Sequence, residues 1–377
     1  MRTDPPRLLF LFADAGGGHR SAAEAIIEAI HLDYGDLFKI EMIDIYKQYG
    51  PPPINLFSNI YPIMVKSPLL WKSWFRFTNS QQTVQRGMKF LWPYIRRKVE
   101  RLVNEHPCDL FIAVHPGATD AIIRLHGQNP PPFITVVTDL ISTHAVWFHP
   151  EVPLCLVPTE AARQKALQFG LREDQVRVVG LPVADKFCKP AKDKTGLRLK
   201  LGWAPERPVV LIVGGGEGMG PIEAIALAIS KQCPQVSLVI VTGRNVSLRK
   251  RLESHTWSIP VYVYGFTQEM PDFMGAADIL VTKAGPGTVT EAFNAGLPLV
   301  IFNYLPGQEE GNLIHVVSEN AGVYAPQPDQ TATAVQNWIE KPELRIQAAD
   351  ASHRLANPSS ARQIAHILAE QVGIRNS

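Results

Sequence analysis

Short apolar runs of strand length alternate with amphipathic stretches of helix length along the whole chain. The first half carries such runs at Leu8–Phe12, Lys39–Ile43, Leu110–Val114, Phe133–Val137, Leu154–Val157 and Val176–Val179. The second half carries them at Val209–Val213, Leu238–Val241, Val261–Val263, Ile279–Val281 and Leu299–Phe302. A strand covered on both faces needs apolar residues throughout, so unbroken runs predict buried parallel strands, and the helical stretches between them predict right-handed crossovers. The pattern therefore predicts an α/β protein with two doubly wound domains, residues 1–182 and 183–377. Their boundary is placed between Gly180 and Gly196, where Pro182, Pro190 and a lysine-rich stretch interrupt the alternation. Ligands of such sheets lie beyond the carboxyl ends of the strands, so the two domains are expected to face each other across a ligand-binding cleft.

Composition narrows the class without naming a chemistry. With 377 residues, 46% of them hydrophobic and 19% charged, the chain is long enough for two cores. A formal net charge of +2 gives no global attraction to nucleic acid, so affinity for anionic surfaces has to come from local patches. Cys108, Cys155, Cys188 and Cys233 form no C-x-x-C pair, which argues against a zinc knot and for reduced thiols in a cytosol. No apolar run approaches the ~20 residues of a membrane-spanning helix, and the short run ending at Asp14 reads as a first strand and not as a signal peptide.

The chemistry is concentrated between Lys283 and Asn312. Gly285-Pro286-Gly287-Thr288 follows a strand and opens a helical pattern, so free backbone N–H groups and the positive helix end suit a diphosphate. Glu291 lies one turn further on, where a carboxylate repels phosphate but accepts hydrogen bonds from both hydroxyls of a ribose. After the next strand come Gln308, Glu309 and Asn312, amide and carboxylate groups suited to sugar hydroxyls. The alternative is a glycine-rich turn that merely joins strand to helix.

Two triple glycines extend the picture. In Asp14-Ala15-Gly16-Gly17-Gly18-His19, a strand runs through a glycine loop into a helix, and His19 stands at the helix start. The helix end disfavours the imidazolium, which leaves a neutral ring able to accept a proton, with Asp14 placed to orient it. A packing or capping histidine is the plainer reading. In the second, Gly214 to Pro221 holds five glycines in its first seven residues. It is neither a Walker loop nor a dinucleotide fingerprint, and reads as a second loop of backbone donors.

Between Asp44 and Glu100 there is no acidic residue, whereas Lys47, Lys66, Lys72, Arg76, Arg86, Lys89, Arg96, Arg97 and Lys98 are interleaved with Tyr61, Trp71, Trp74, Phe75, Phe77, Phe90, Trp92 and Tyr94. Tryptophan with basic residues suits an anionic bilayer interface. An RNA-binding patch has the same composition but no RNP, KH or helix-turn-helix signature accompanies it, and a buried aromatic cluster with a solvated basic face is the remaining alternative.

Several segments, in order and across most of the chain, carry a family resemblance: GGGHRSAAEAI (Gly16–Ile26), VTDL and THAVWF (Val137–Phe148), VVGLPV (Val178–Val183), GGGEGMGPIEA (Gly214–Ala224), TGRN (Thr242–Asn245), GF (Gly265-Phe266), TKAGPGT with EA (Thr282–Ala292) and GQEEGN (Gly307–Asn312). The chain resembles the monogalactosyldiacylglycerol synthases, glycosyltransferases of the GT-B fold with two Rossmann-like domains. The resemblance implies an inverting transfer of galactose from UDP-galactose to 1,2-diacylglycerol, with His19 as base assisted by Asp14. It assigns the donor to Gly17, Gly18, Gly216, Glu217, Met219, Arg244, Phe266 (at the uracil), Lys283, Gly285, Pro286, Gly287, Thr288, Glu291, Gln308, Glu309 and Asn312. Trp71, Lys72, Trp74, Phe75, Arg76, His144 and Trp147 would face the acceptor or the membrane. The chain departs from the family where Ala145 and Val146 follow His144 in place of a proline. With no D-x-D or adjacent Asp pair, no essential metal and no cofactor are expected. The expected location is the cytoplasmic face of a membrane, peripherally bound, and no plastid transit peptide precedes the first strand, which implies a bacterial form. A glucosyl- or N-acetylglucosaminyltransferase on the same scaffold, or a non-catalytic UDP-sugar-binding protein, are the rival readings.

Overall fold

The computed structural model describes residues 4–14, 17–57, 60, 67–127, 131–189 and 193–374; Gly16, Tyr61, Lys66 and Pro190 lie outside them. The chain forms two compact units. The first runs to Asp185 and includes Pro306–Gln308 and the segment from Ser359 onward; the second comprises Lys186–Leu305 and Glu309–Pro358.

The first unit is a six-stranded parallel sheet in the order β2-β1-β3-β4-β5-β6. Its strands are β1 (Arg7–Phe12), β2 (Lys39–Asp44), β3 (Leu110–Ala113), β4 (Phe133–Val136), β5 (Leu154–Val157) and β6 (Val176–Val178). Both faces are covered, which is why β1 is apolar without alternation. Leu8, Phe10 and Phe12 enter a cluster with Ile26 and Ile30 of the first helix and Ile364 and Leu368 of the last, while Leu9 and Leu11 enter a cluster with Leu102, Ile122 and Trp147 on the opposite face. The last helix, Ser360–Gln371, is tied in by polar contacts as well: Ser360 Oγ donates to the Leu181 carbonyl at 2.8 Å, and Arg362 meets Asp33 at 2.6 Å.

The second unit is also six-stranded and parallel, in the order β12-β11-β10-β7-β8-β9. Its strands are β7 (Val209–Val213), β8 (Ser237–Val241), β9 (Val261–Tyr264), β10 (Ile279–Lys283), β11 (Leu299–Asn303) and β12 (Gly322–Tyr324). The last of these is an edge strand with no counterpart among the apolar runs of the sequence, because Gly322-Val323-Tyr324 is too short to register as one.

In each unit the chain order reverses beside the first strand, between β1 and β3 in the first sheet and between β7 and β10 in the second. Loops leaving neighbouring strands at such a point diverge to opposite faces and leave room for a ligand at the carboxyl edge. The loops that leave these four strands carry His19, His115, the Gly214–Gly220 turn and the Gly285–Thr288 turn.

Candidate active site

At the reversal point of the first sheet, the helix Gly18–Tyr34 begins at Gly17, whose φ of 84° puts it in the left-handed region, and no side chain caps the helix. His19 is thereby held at the carboxyl edge. Its Nδ1 lies 2.7 Å from the Thr138 hydroxyl, and its ring stands edge-on to His115 with centroids 4.7 Å apart and 5.9 Å from the Trp147 ring. Burial among these groups lowers the His19 pKa from 6.5 to about 4, a backbone hydrogen bond to Val114 acting in the other direction. The ring is therefore neutral at pH 7, as its expected role needs, but burial and not the helix end is the main cause.

The expectation for Asp14 needs correction. Its carboxylate lies 3.6 Å from Arg20 Nη1, and the side chain at hydrogen-bond distance from the His19 ring is Thr138. His115 and Thr138 were missed by sequence reasoning; His115 lies just beyond β3, which borders the reversal point, and Thr138 just beyond β4, the strand beside it. His115 is buried, its pKa well below the ordinary value through burial and then the neighbouring His19, and its Nδ1 accepts from the Gly117 N–H at 3.1 Å. Asp139, next to Thr138, accepts from Trp147 Nε1 at 2.7 Å and from Gln308 Nε2 at 3.2 Å. The carbonyl oxygen of Gln308 is buried without a hydrogen-bond partner among the described residues.

In the second unit, Gly285 precedes the helix Pro286–Asn294, which has proline in its first turn, no side-chain cap and no acid in its first turn. The N–H groups of Gly287 and Thr288 thus open a helix whose positive end is not neutralised by its own sequence. Glu291, half-buried one turn later, has its pKa raised from 4.5 to about 7 by desolvation. Lys283 pairs with Glu309, whose other oxygen accepts from the Leu305 N–H at 2.9 Å. The glycine loops crowd this lysine: a Cβ on Gly215 would stand 3.0 Å from its Cε, and one on Gly285 3.0 Å from its Nζ. Asn312, buried, donates from Nδ2 to the Ala284 carbonyl at 2.9 Å and leaves Oδ1 without a partner among the described residues.

The Gly214–Gly220 turn is only in part the loop of backbone donors expected from sequence. Gly218 N–H donates to Gly215 O at 3.0 Å and Met219 N–H to Gly214 O at 2.9 Å, so these donors are spent inside the turn and Met219 offers none to a ligand. Gly218 is required by packing, since a Cβ there would fall 2.2 Å from the Thr242 carbonyl oxygen. Glu217 pairs with Arg244 at 2.6 Å, and the Arg244 guanidinium lies 5.3 Å from the centroid of Phe266, an exposed ring.

The expected membrane residues divide. Trp71 (5% exposed) and Phe75 (6%) face inward from the helix Pro68–Thr78, and Trp147 is fully buried, so none of the three is available to a bilayer. His144 is buried too: its Nε2 lies 3.0 Å from the Thr78 hydroxyl and its ring packs edge-on against Phe75, anchoring this helix. The outward face consists of Leu69, Leu70, Trp74 and Phe77, the last 77% exposed, with Arg76 beside them; Lys72 is half-buried. With large apolar residues on both faces of this helix, periodicity did not separate inner from outer residues. On the next helix, Gln81–Glu105, Phe90 is 88% exposed among the exposed Arg86, Lys89 and Arg97. No helix among the described residues is long and apolar enough to cross a membrane.

Comparison with known proteins agrees with this geometry in both units. The family model described as monogalactosyldiacylglycerol (MGDG) synthase matches residues 19–183, and that of the glycosyltransferase family 28 C-terminal domain matches residues 209–368. The probable monogalactosyldiacylglycerol synthase 2, chloroplastic, of Oryza sativa subsp. indica is 37% identical over 370 residues, spanning 95% of this chain and 79% of that protein. Monogalactosyldiacylglycerol synthase 3, chloroplastic, of Arabidopsis thaliana is 38% identical over 380 residues, spanning 97% of this chain and 82% of that protein. Among solved structures, S. aureus MnaA in its UDP co-structure gives a TM-score of 0.66 at 14% identity, covering 99% of this chain and 98% of that one. Acinetobacter baumannii MurG gives 0.59 at 16%, covering 97% and 100%. The two parallel sheets are those of the GT-B fold, and with relatives of this identity over nearly the whole chain it belongs to the monogalactosyldiacylglycerol synthase family of glycosyltransferases.

Proposed function

We propose that this protein is a hexosyltransferase that moves galactose from UDP-galactose to the free hydroxyl of 1,2-diacylglycerol with inversion, forming monogalactosyldiacylglycerol at a membrane surface. The observation that carries the reading is His19, a ring kept neutral by burial at the carboxyl edge of the first sheet, in a family whose relatives are named for this product. The glycerol oxygen attacks the anomeric carbon as the bond to UDP breaks, and His19 takes the hydroxyl proton; such general-base assistance contributes about 10²–10⁴-fold. Negative charge on the departing diphosphate is met by the N–H groups of Gly287 and Thr288, the positive helix end and Lys283, and the proposal invokes no metal. Glu291 accepts from the ribose hydroxyls and Phe266 supports the uracil. Asn312 Oδ1 and Gln308 Oε1, buried acceptors without partners among the described residues, are suited to sugar hydroxyls.

Docking is proposed through the outward face of the helix Pro68–Thr78. Its exposed Leu69, Leu70, Trp74 and Phe77 enter the interface, and Arg76, Arg86, Lys89 and Arg97 meet anionic headgroups. The test is transfer from labelled UDP-galactose or UDP-glucose to diacylglycerol in vesicles, with the lipid product separated by thin-layer chromatography. A galactolipid supports the reading. A glucolipid reassigns the donor, and UDP-sugar binding without any lipid product would leave a binding protein in its place.

A further inference from the structure

The helix Glu310–Ser318 starts beside Glu309, whose backbone and side chain are both tied to the loop before it. Its N–H donates to the Leu305 carbonyl at 2.8 Å, and its Oε2 accepts from the Leu305 N–H at 2.9 Å. This reciprocal pair fixes a carboxylate that is 5% exposed, and the other oxygen, Oε1, takes the Lys283 ammonium. One turn along the same helix, Asn312 donates to the Ala284 carbonyl at 2.9 Å. Two side chains of GQEEGN thus reach back to the segment that leads into the uncapped helix Pro286–Asn294. The lysine needs such a hold. A Cβ on Gly285 would stand 3.0 Å from its Nζ, so the ammonium lies beside a helix end that is already positive, and like signs repel. The flexible four-carbon stem would let it turn away into water. The buried carboxylate offsets the repulsion and restricts the stem, while two of the three ammonium protons keep no partner among the described residues.

We propose that Glu309 is a positioning residue: it holds the Lys283 ammonium at the start of the helix Pro286–Asn294, with the two remaining protons available to the diphosphate of the donor. This deepens the proposed function and rests on the diphosphate lying at that helix start. It gives Glu309 a task other than the sugar contact expected from the sequence, since the carboxylate acts on the donor through Lys283.

The test is calorimetric titration of the full chain with UDP, uridine and UDP-galactose. Glu309→Gln keeps an acceptor for the Leu305 N–H and removes the charge. It should weaken UDP and UDP-galactose alike, about tenfold, the size of one hydrogen bond to a charged group. Uridine affinity, which a merely structural loss would lower as well, should stay within about twofold of wild type. Lys283→Met should lose at least as much UDP affinity, and adding Glu309→Met to it should cause no further loss, a comparison that holds even if Glu309→Gln fails to fold. Glu309→Gln binding UDP as tightly as wild type would overturn the proposal, as would tighter binding, the result expected if the carboxylate only cancels charge. So would a further loss of UDP affinity in the double variant, or a loss confined to UDP-galactose. A wild type that binds uridine as tightly as UDP would instead remove the diphosphate site, and with it the reading on which the proposal rests.

Discussion

In the first unit a loop leaving the sheet opens an uncapped helix and presents His19; in the second a loop leaving the sheet opens an uncapped helix and presents Glu291. The two starts are built alike, yet the groups they present are opposite in charge type, and desolvation acts on each toward neutrality. It lowers the histidine to about 4 and raises the glutamate to about 7. For the histidine, neutrality is the working state, because a base must arrive with its lone pair free. For the glutamate, about half ionised at pH 7, the ribose contact proposed above would favour the ionised form by supplying two hydroxyl donors. The same physical effect thus bears in opposite ways on the two proposed roles, freeing the lone pair of the base and weakening the charge of the ribose acceptor.

Removing each group is the strongest way to break this comparison. His19→Ala should lower turnover at least about a hundredfold while UDP affinity stays within a few fold, because the ring acts on the acceptor's proton. Near-normal turnover would take the base out of the first unit. Glu291→Ala should weaken UDP binding by about 1–3 kcal/mol, measured by calorimetry, through loss of hydrogen bonds to the ribose. Unchanged affinity would make Glu291 a structural residue of its helix.

The two pKa values predict different pH profiles. Below about pH 7 Glu291 gains a proton and accepts less well, so kcat/KM for the donor should fall as pH drops, approaching about tenfold per pH unit. Under saturating donor, kcat should stay level well below pH 6, since His19 does not charge until about pH 4. A shared acid limb near 6.5 in both parameters would show that burial does not hold the histidine neutral. The smallest effect expected is on docking. Replacing Leu69, Leu70 and Phe77 with Ser should reduce co-sedimentation with vesicles containing phosphatidylglycerol, with UDP affinity preserved, and raised salt should weaken what remains through screening over about 8–10 Å. Sedimentation like wild type would remove the helix from the interface.

The parts of this account legible in the sequence were those with a local signature. Unbroken apolar runs marked both sheets, and Gly285-Pro286-Gly287 announced an uncapped helix start through residue types alone. What failed to show was what depends on contacts distant in the chain. Thr138 meets His19 across 119 positions, and nothing in VTDL distinguishes a partner from a strand end. Trp71 and Phe75 sit four residues apart on a helix whose outer face also carries Leu69, Leu70, Trp74 and Phe77, and the distant His144, packed edge-on against Phe75, is absent from the local pattern. Met219 looked like a ligand donor until the turn closed on Gly214. The three-residue β12 is a strand because β11 pairs with it, not because its residues demand one.

The most direct measurement is the anomeric configuration of the product. Wild-type protein given UDP-galactose and diacylglycerol vesicles should yield a lipid whose proton NMR shows the β-galactoside, inverted from the α-linked donor, as single displacement assisted by His19 requires. An α-galactoside, or no lipid-linked galactose at all, would contradict the account.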